Sequence, residues 1–564
     1  MSPRPFLGLL LVLAFSFCVR AQNSLSDSDR IKAVRQLFAE ERWHEIVGLV
    51  ETEPIRSADM DYYYGTALAK LERWDDAGTV FRHGLLQQPR DKRFPIELAG
   101  VSFKQGRFSE AADYLHDALR LDPSDSYAND FLASIYYLES NLEASLKYWN
   151  RVGKPDVVEV RLEPTPKVDA VLLDRAFSFA PASKLALHQF RTTEARLRAL
   201  NIFSKHRFDL QARPDGRFDM VLRANERSGL ESGKWQSLLG LLRGLPFQSI
   251  HPEVFNINGR AVNFISMIRW DSDKQRIWAS LSGPFGRDPK WLYGLDIDLR
   301  REDWDIRDSF TDRSQSFGEL KLRKQAVRAE VSSFASGRWS WSTGVEASHR
   351  GYQRVNAGAA LAPELLLEGF QLKHLGIMKY DLVRVPEERF VVTTGGSTEI
   401  ARIWSGPSHA FARIQASVHT HWFPQPRGDD YQMLFRVHGG RTFGKMPFDE
   451  LFVLGVERDN DLLLRAHIGT HRGRKGSAPL GRNYFLANWE IDKNVYSNGM
   501  VTVKLGPFLD SGKITDPSGG LGSRKWLWDL GAQTKVRVLG VGLAFSYGKD
   551  LRSGNNAFYV STSR

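Results

Sequence analysis

The sequence predicts a multidomain chain: an α-helical repeat solenoid, a small α+β domain, and a C-terminal transmembrane antiparallel β-barrel of about sixteen strands. Three observations carry this. A 34-residue self-similarity runs through the first quarter of the chain, and a short β-α-α-β-β pattern comes after it. From Leu245 onward, apolar and polar residues then alternate over long stretches. At 564 residues the chain is too long for one ordinary domain. Its 42% apolar and 25% charged residues exclude wholesale disorder and collagen-like repeats. The net charge of +11 has no dense basic run behind it, so nucleic acid is not expected as a partner. The single cysteine, Cys18, excludes a disulfide framework and a cysteine-based zinc site.

Residues 1–21 read as a secretory signal peptide. Arg4 precedes an apolar run from Phe6 to Val19, and Val19-Arg20-Ala21 supplies small or apolar residues at the cleavage positions. The run is too short to span a bilayer comfortably as a helix. Phe17 before Cys18 is too large for a lipoprotein signal. Cleavage after Ala21 would leave an exported chain of charge +9 without cysteine. Beyond it, charge interrupts every apolar stretch well before eighteen residues, so no other helical span is expected.

Residues 22–152 carry the repeat. Ala77 and Ala111, Gly84 and Ala118, and Pro89 and Pro123 are each 34 apart. Small residues let paired helices approach closely, and the proline ends the second helix of each unit. Gly65, Ala77, Phe81 and Pro89 occupy small, small, aromatic and proline positions. In this the segment resembles a tetratricopeptide array of three to four units. The resemblance implies a protein or peptide partner on the concave face, in the periplasm given the export signal.

Residues 153–229 form the α+β domain. Val157–Leu162 is a β-branched run, Asp169–Phe177 and Leu187–Leu200 are helical, and Pro214-Asp215-Gly216 turns a hairpin between Phe208, Leu210 and Phe218, Met220, Leu222. With Thr193–Leu197 leading into Asn201-Ile202-Phe203, the order resembles a polypeptide-transport-associated (POTRA) domain. Such domains guide unfolded polypeptides, often by adding a strand to a sheet edge. A rigid spacer is the alternative.

Residues 230–564 alternate as barrel strands do. Ala412, Ile414, Ala416, Val418 and Trp422 fall on one face, and Arg413, Gln415, Ser417, His419 and His421 on the other. Tyr293, Leu295, Ile297 and Leu299 oppose Asp296, Asp298 and Arg300 in the same way. Strands of this kind suit lipid outside and water inside, and lipid requires the sheet to close. Eleven of the 15 tryptophans lie after Leu245, and Trp291, Trp422 and Trp489 near strand ends suit an interfacial girdle. A soluble β-sandwich is the competing architecture.

Two late segments point to a family. Asp461-Leu462-Leu463-Leu464-Arg465-Ala466-His467 heads a long polar connection that reaches Gly481. The strand Val501–Gly512 turns Thr502, Lys504, Phe508 and Asp510 to the interior by period-two counting. The chain here resembles the BamA/TamA-like outer-membrane assembly and two-partner-secretion barrels (the bacterial surface antigen family). The resemblance implies that Arg465 is the loop arginine that folds into the lumen, and that Phe508 and Asp510 are the late-strand motif it pairs with. Arg465, Phe508 and Asp510 would then lock loop to strand. Two departures stand out: Ala466 and His467 replace the family's glycine and aromatic residue, and residues 561–564 come after Phe558 and Tyr559 without a final aromatic.

Catalytic constellations are absent from the sequence: there is no nucleophile elbow, phosphate loop or metalloprotease helix. His467 and His471 lie in a turn-rich stretch with no carboxylate expected nearby, and His419 and His421 read as polar lumen residues, so no metal, cofactor or enzymatic activity is expected. The family likeness implies an outer-membrane protein that inserts barrel proteins or translocates polypeptides. Its partners would be unfolded outer-membrane or secreted polypeptides and outer-membrane lipid. An exporter of exopolysaccharide, with a permanently open pore, and a non-transporting periplasmic scaffold are the alternatives.

Overall fold

The computed structural model describes residues 27–51, 55–227, 241, 244–307, 316–357, 363–498, 500–516, 521, 523, 525–538 and 541–563. The signal segment 1–21, with Cys18, and the opening of the barrel region at 230–240 lie outside them. The chain divides into two compact units, Met1–Ile135 and Tyr136–Arg564.

The first unit is built of consecutive helix pairs: Asp27–Ala39 with Trp43–Val50, Ala58–Lys70 with Trp74–Gln87, and Arg93–Lys104 with Phe108–Leu121. A fourth pair begins with Ser126–Leu138. Each pair turns on a residue in the left-handed region. Glu72, Gly106 and Ser140 hold these positions at 34-residue intervals, and Glu41 holds the first. The small residues at repeat positions have a direct cause. A Cβ on Gly84 would stand 2.3 Å from the Phe94 ring, and one on Gly65 would stand 2.6 Å from the Phe81 ring. Phe81, Phe94, Leu68 and Leu98 fill the core between the helices. No helix among the described residues is long and apolar enough to cross a membrane.

The second unit opens with the end of the fourth pair, Leu142–Trp149. Aromatic side chains fasten this end to the neighbouring small domain: the Tyr137 hydroxyl donates to the Leu210 carbonyl at 2.7 Å, and the Tyr137 and Trp149 rings pack on Phe218. That domain is a small mixed sheet formed by β1 (Asp156–Glu163), β2 (Ser183–Lys184), β3 (Phe203–Ala212) and β4 (Phe218–Glu226) in the order β2-β1-β4-β3. β1 and β4 run parallel, while β3 and β4 form the hairpin. Helices Ala170–Ala176 and Leu187–Leu200 complete the domain. The first is capped by Asp169, which accepts from the Val171 and Leu172 amides; the second ends on the left-handed Asn201.

The large sheet starts with β5 (Ser249–Ile250), β6 (Glu253–Ile257), β7 (Val262–Trp270), β8 (Lys274–Phe285) and β9 (Asp288–Arg307). It continues through β10 (Ser316–Ser333), β11 (Trp339–Ala357), β12 (Gly369–Val385), β13 (Phe390–Trp404), β14 (Ser408–Trp422) and β15 (Tyr431–Gly444). A long connection comes next, containing β16 (Phe452–Val453), β17 (Thr470–His471), β18 (Arg474–Lys475) and β19 (Leu480–Gly481). The sheet then resumes with β20 (Asn483–Ser497), β21 (Val501–Thr515), β22 (Leu527–Val538), β23 (Val541–Asp550) and β24 (Asn556–Ser563).

The eighteen segments of this antiparallel sheet are ordered as a barrel. Register-matched ladders run unbroken from β6 to β24, with β15 paired to β20 across the connection. β6 itself is irregular: its register against β7 shifts between Val254 and Ile257, where Asn256 is left-handed.

The two faces of the sheet differ as the alternation requires. Leu295, Ile297 and Leu299 of β9 are exposed, whereas Asp296 between them is buried and paired with Arg328. Ile414 and Val418 of β14 point outward, while Arg413 reaches an interior carboxylate. The small domain and the helix Leu142–Trp149 are fastened to one rim. Asn263 donates to the Leu200 carbonyl at 2.9 Å, and Arg384 pairs with Glu143 at 2.7 Å. The Gly337 amide donates to Thr192 at 3.0 Å, and a Cβ on Gly337 would stand 2.3 Å from the Arg191 backbone.

Candidate functional site inside the sheet

Between β15 and β20 the chain leaves the wall and fills the interior. Met446, Phe448 and Leu451 pack on Trp304, Leu320 and Leu322 of the wall, and Leu454 and Leu464 pack on Leu486, Ile514 and Leu527. Apolar burial of this kind draws the segment in, and charge then fixes its register. Asn460 bonds the carbonyls of Val453, Gly455 and Leu462, closing the turn that presents Arg465.

The structure brings Arg465, Phe508 and Asp510 together. Arg465 Nε donates to Asp510 Oδ2 at 2.9 Å and Nη2 to Oδ1 at 2.7 Å, a two-bond fork, and the Arg465 amide adds a third bond at 3.0 Å. Its remaining nitrogen, Nη1, reaches Glu490 at 2.8 Å and Gln533 at 3.1 Å. The guanidinium lies 3.8 Å over the centre of the Phe508 ring, a stacked cation–π contact. Asn488 donates to both Asp510 and the Leu463 carbonyl at 2.7 Å. The Phe508 ring in turn requires Gly531 on the next strand, where a Cβ would stand 2.4 Å from it. Asp510 is fully buried, so its charge is held by this fork and not by water.

Four groups missed by sequence reading belong to the same arrangement. Glu450, in the connection, is buried among Lys324, Arg350, Lys373 and Arg413, at 3.0, 3.0, 3.2 and 3.2 Å. Asp449 adds a 2.9 Å bond from Arg350. Farther along, Asp459 pairs with Arg269 and Arg276, and Lys475 with Glu302 at 2.7 Å. The connection thus offers carboxylates where the wall carries cations, and cations where β9 and β20–β21 carry carboxylates. The available signal was the set of inward bases on β10, β11, β12 and β14, which need an acid from somewhere off their own strands.

One expectation needs correction. No carboxylate was expected near His467, but the structure sets two beside it. His467 Nδ1 lies 3.2 Å from Asp529 Oδ2, and Nε2 lies 3.7 Å from Asp550 Oδ2. These carboxylates come from β22 and β23, more than sixty residues later in the chain, so spacing around the histidine could not show them. His471, four residues on, belongs to the small β17–β18 hairpin and does not join them. The His419 ring lies tilted against His438 with centroids 4.8 Å apart, and His421 meets Gln432 at 2.8 Å.

No family model matches the chain, and no curated protein matches it. Among solved structures it is similar to BamA from Haemophilus ducreyi lacking POTRA domains 1–3, at 13% identity and a TM-score of 0.40, over 72% of this chain and 84% of that one. It is also similar to CdiB from Escherichia coli, at 14% identity and 0.46, over 73% and 75%. For CdiB from Acinetobacter baumannii the figures are 12% and 0.41, over 72% of each chain.

Proposed function

We propose that the large sheet is an outer-membrane β-barrel that inserts barrel proteins into the outer membrane or passes polypeptides across it. The helix pairs would act as a tetratricopeptide array, and the small domain as a POTRA-like guide, both in the periplasm. The observation that carries this reading is the interior-filling connection locked by Arg465 to Asp510 over Phe508. A segment held across the interior by a buried arginine fork can be released by breaking that one pair, which suits a gated conduit. The outward Leu, Ile and Trp side chains along the strands support lipid contact, since soluble proteins rarely expose so extended an apolar surface.

The seam is the second support. β6 pairs irregularly with β7, and the order of the sheet sets β24 beside these first segments. A weakly paired strand edge, once parted, templates an incoming strand by main-chain hydrogen bonds, with no covalent chemistry and no cofactor.

Engineered cysteines along β6 and β24 test this, because Cys18 is the sole native cysteine. Crosslinked nascent barrel or secreted polypeptides on both strands are expected. Depletion that left outer-membrane protein levels and surface secretion unchanged, with no crosslinked cargo, would overturn the reading. An open, high-conductance pore in the unaltered chain would favour exopolysaccharide export instead.

A further inference from the structure

We propose that His467, Asp529 and Asp550 form a binding site for one divalent metal ion, of the chemistry zinc satisfies, where the connection meets β22 and β23. Each residue offers one ligand atom, and these atoms lie within 4.8 Å of one another. An ion with bonds of about 2.0–2.2 Å bridges such a triangle after small side-chain rotations.

Two buried atoms of the cluster lack a hydrogen-bond partner: Asp529 Oδ1, and His467 Nε2, which faces Asp550 Oδ2 at 3.7 Å. His467 is 5% exposed, Asp529 0% and Asp550 4%, so bulk solvent screens them little. Their other contacts are accounted for. Asp529 Oδ2 accepts from the Ala466 amide at 2.7 Å and faces His467 Nδ1. Asp550 accepts from the Arg552 and Ser553 amides and the Ser553 hydroxyl.

Charge decides between an ion and a simple ion pair. Two buried carboxylates against one imidazole leave a net negative charge even when the ring is protonated. The nearby cation, Arg465, is committed to Asp510 and Glu490. Buried charge is ordinarily paired or metal-bound, and a divalent ion neutralises both carboxylates with the ring neutral. The nitrogen donor favours zinc over calcium or magnesium, which prefer all-oxygen shells. Such an ion would tie the loop tip to two strands that Arg465 reaches only in part. The site binds its ion or fails to whatever the barrel transports, so this inference does not rest on polypeptide handling.

The test uses the full chain in detergent, stripped with chelator and titrated with zinc chloride. One tightly bound equivalent is expected, weakened about 100-fold or more in His467→Phe and in Asp550→Asn and unchanged in His471→Ala. Cobalt(II) added to the unsubstituted chain should give visible ligand-field absorption that one equivalent of zinc abolishes, a readout that needs no variant to fold. Absence of that band, or zinc retained by both substituted chains, would overturn the proposal in favour of an imidazolium pair.

Discussion

Asp510 and Arg465 are each buried with the other as principal partner, so removing Asp510 leaves a buried guanidinium held by Glu490 and Gln533 alone. Breaking a buried pair costs roughly 3–5 kcal/mol. Asp510→Ala should therefore lower the thermal midpoint of the detergent-solubilised chain and open residues 455–470 to added protease. Arg465→Lys should behave almost as badly, since an ammonium cannot make the two-bond fork or lie flat on Phe508. Protection from protease equal to the parent chain in Arg465→Lys would show that the loop is held by its apolar contacts alone. Glu450 makes a contrasting case. Four cations converge on it, and Glu450→Gln leaves them repelling one another, so the loss should exceed that of an ordinary surface pair.

At the level of elements, close approaches between backbones decide what sequence is allowed. Gly84→Leu would drive a side chain into the Phe94 ring, and overpacking of this kind costs about 1–3 kcal/mol. Its helical signal in circular dichroism should melt earlier while the strand signal stays. Gly337 is the corresponding position on the rim of the sheet, where the β10–β11 turn touches the helix Leu187–Leu200; Gly337→Val should loosen that helix, seen as faster amide exchange at 191–193. The helix pairs are also tied by charge. Lys92 donates to Asp122 at 2.7 Å and Asp125 at 2.6 Å, and its bond holds the Asp122 carboxyl down to about 2 from 3.8. A depressed carboxyl stabilises the fold above its unfolded value and loses that contribution as pH falls through its folded one. The stability gap between the parent chain and Lys92→Met should thus be full above pH 3.8 and close as pH falls through about 2, measured by acid unfolding.

For the whole molecule, the decisive features are an apolar outside and an occupied inside. The chain should partition with membranes and stay in solution only with detergent. Recovery of the monomer from a high-speed supernatant without detergent would contradict that. In planar bilayers the parent chain should conduct little, because the connection between β15 and β20 fills the interior. Replacing residues 449–477 by a short linker should produce a large, steady conductance. If both conduct alike, the connection does not block the path.

Much of this was legible along the chain because it depends on local periods. Alternation marks a strand whether or not its neighbours are known, so the faces of β9 and β14 could be read directly, as could the helix Leu187–Leu200. The 34-residue recurrence likewise reports a turn geometry that repeats, now seen at Glu72, Gly106 and Ser140. Arg465, Phe508 and Asp510 could be singled out only through family likeness. Their meeting depends on a chain segment folding back through the interior. Glu450 among its four cations, and the two aspartates around His467, were beyond reach for the same reason. Coulomb energy and burial act through space, and the partners of a lumen charge lie on whichever strands the rolled sheet brings across from it, at separations no sequence window contains.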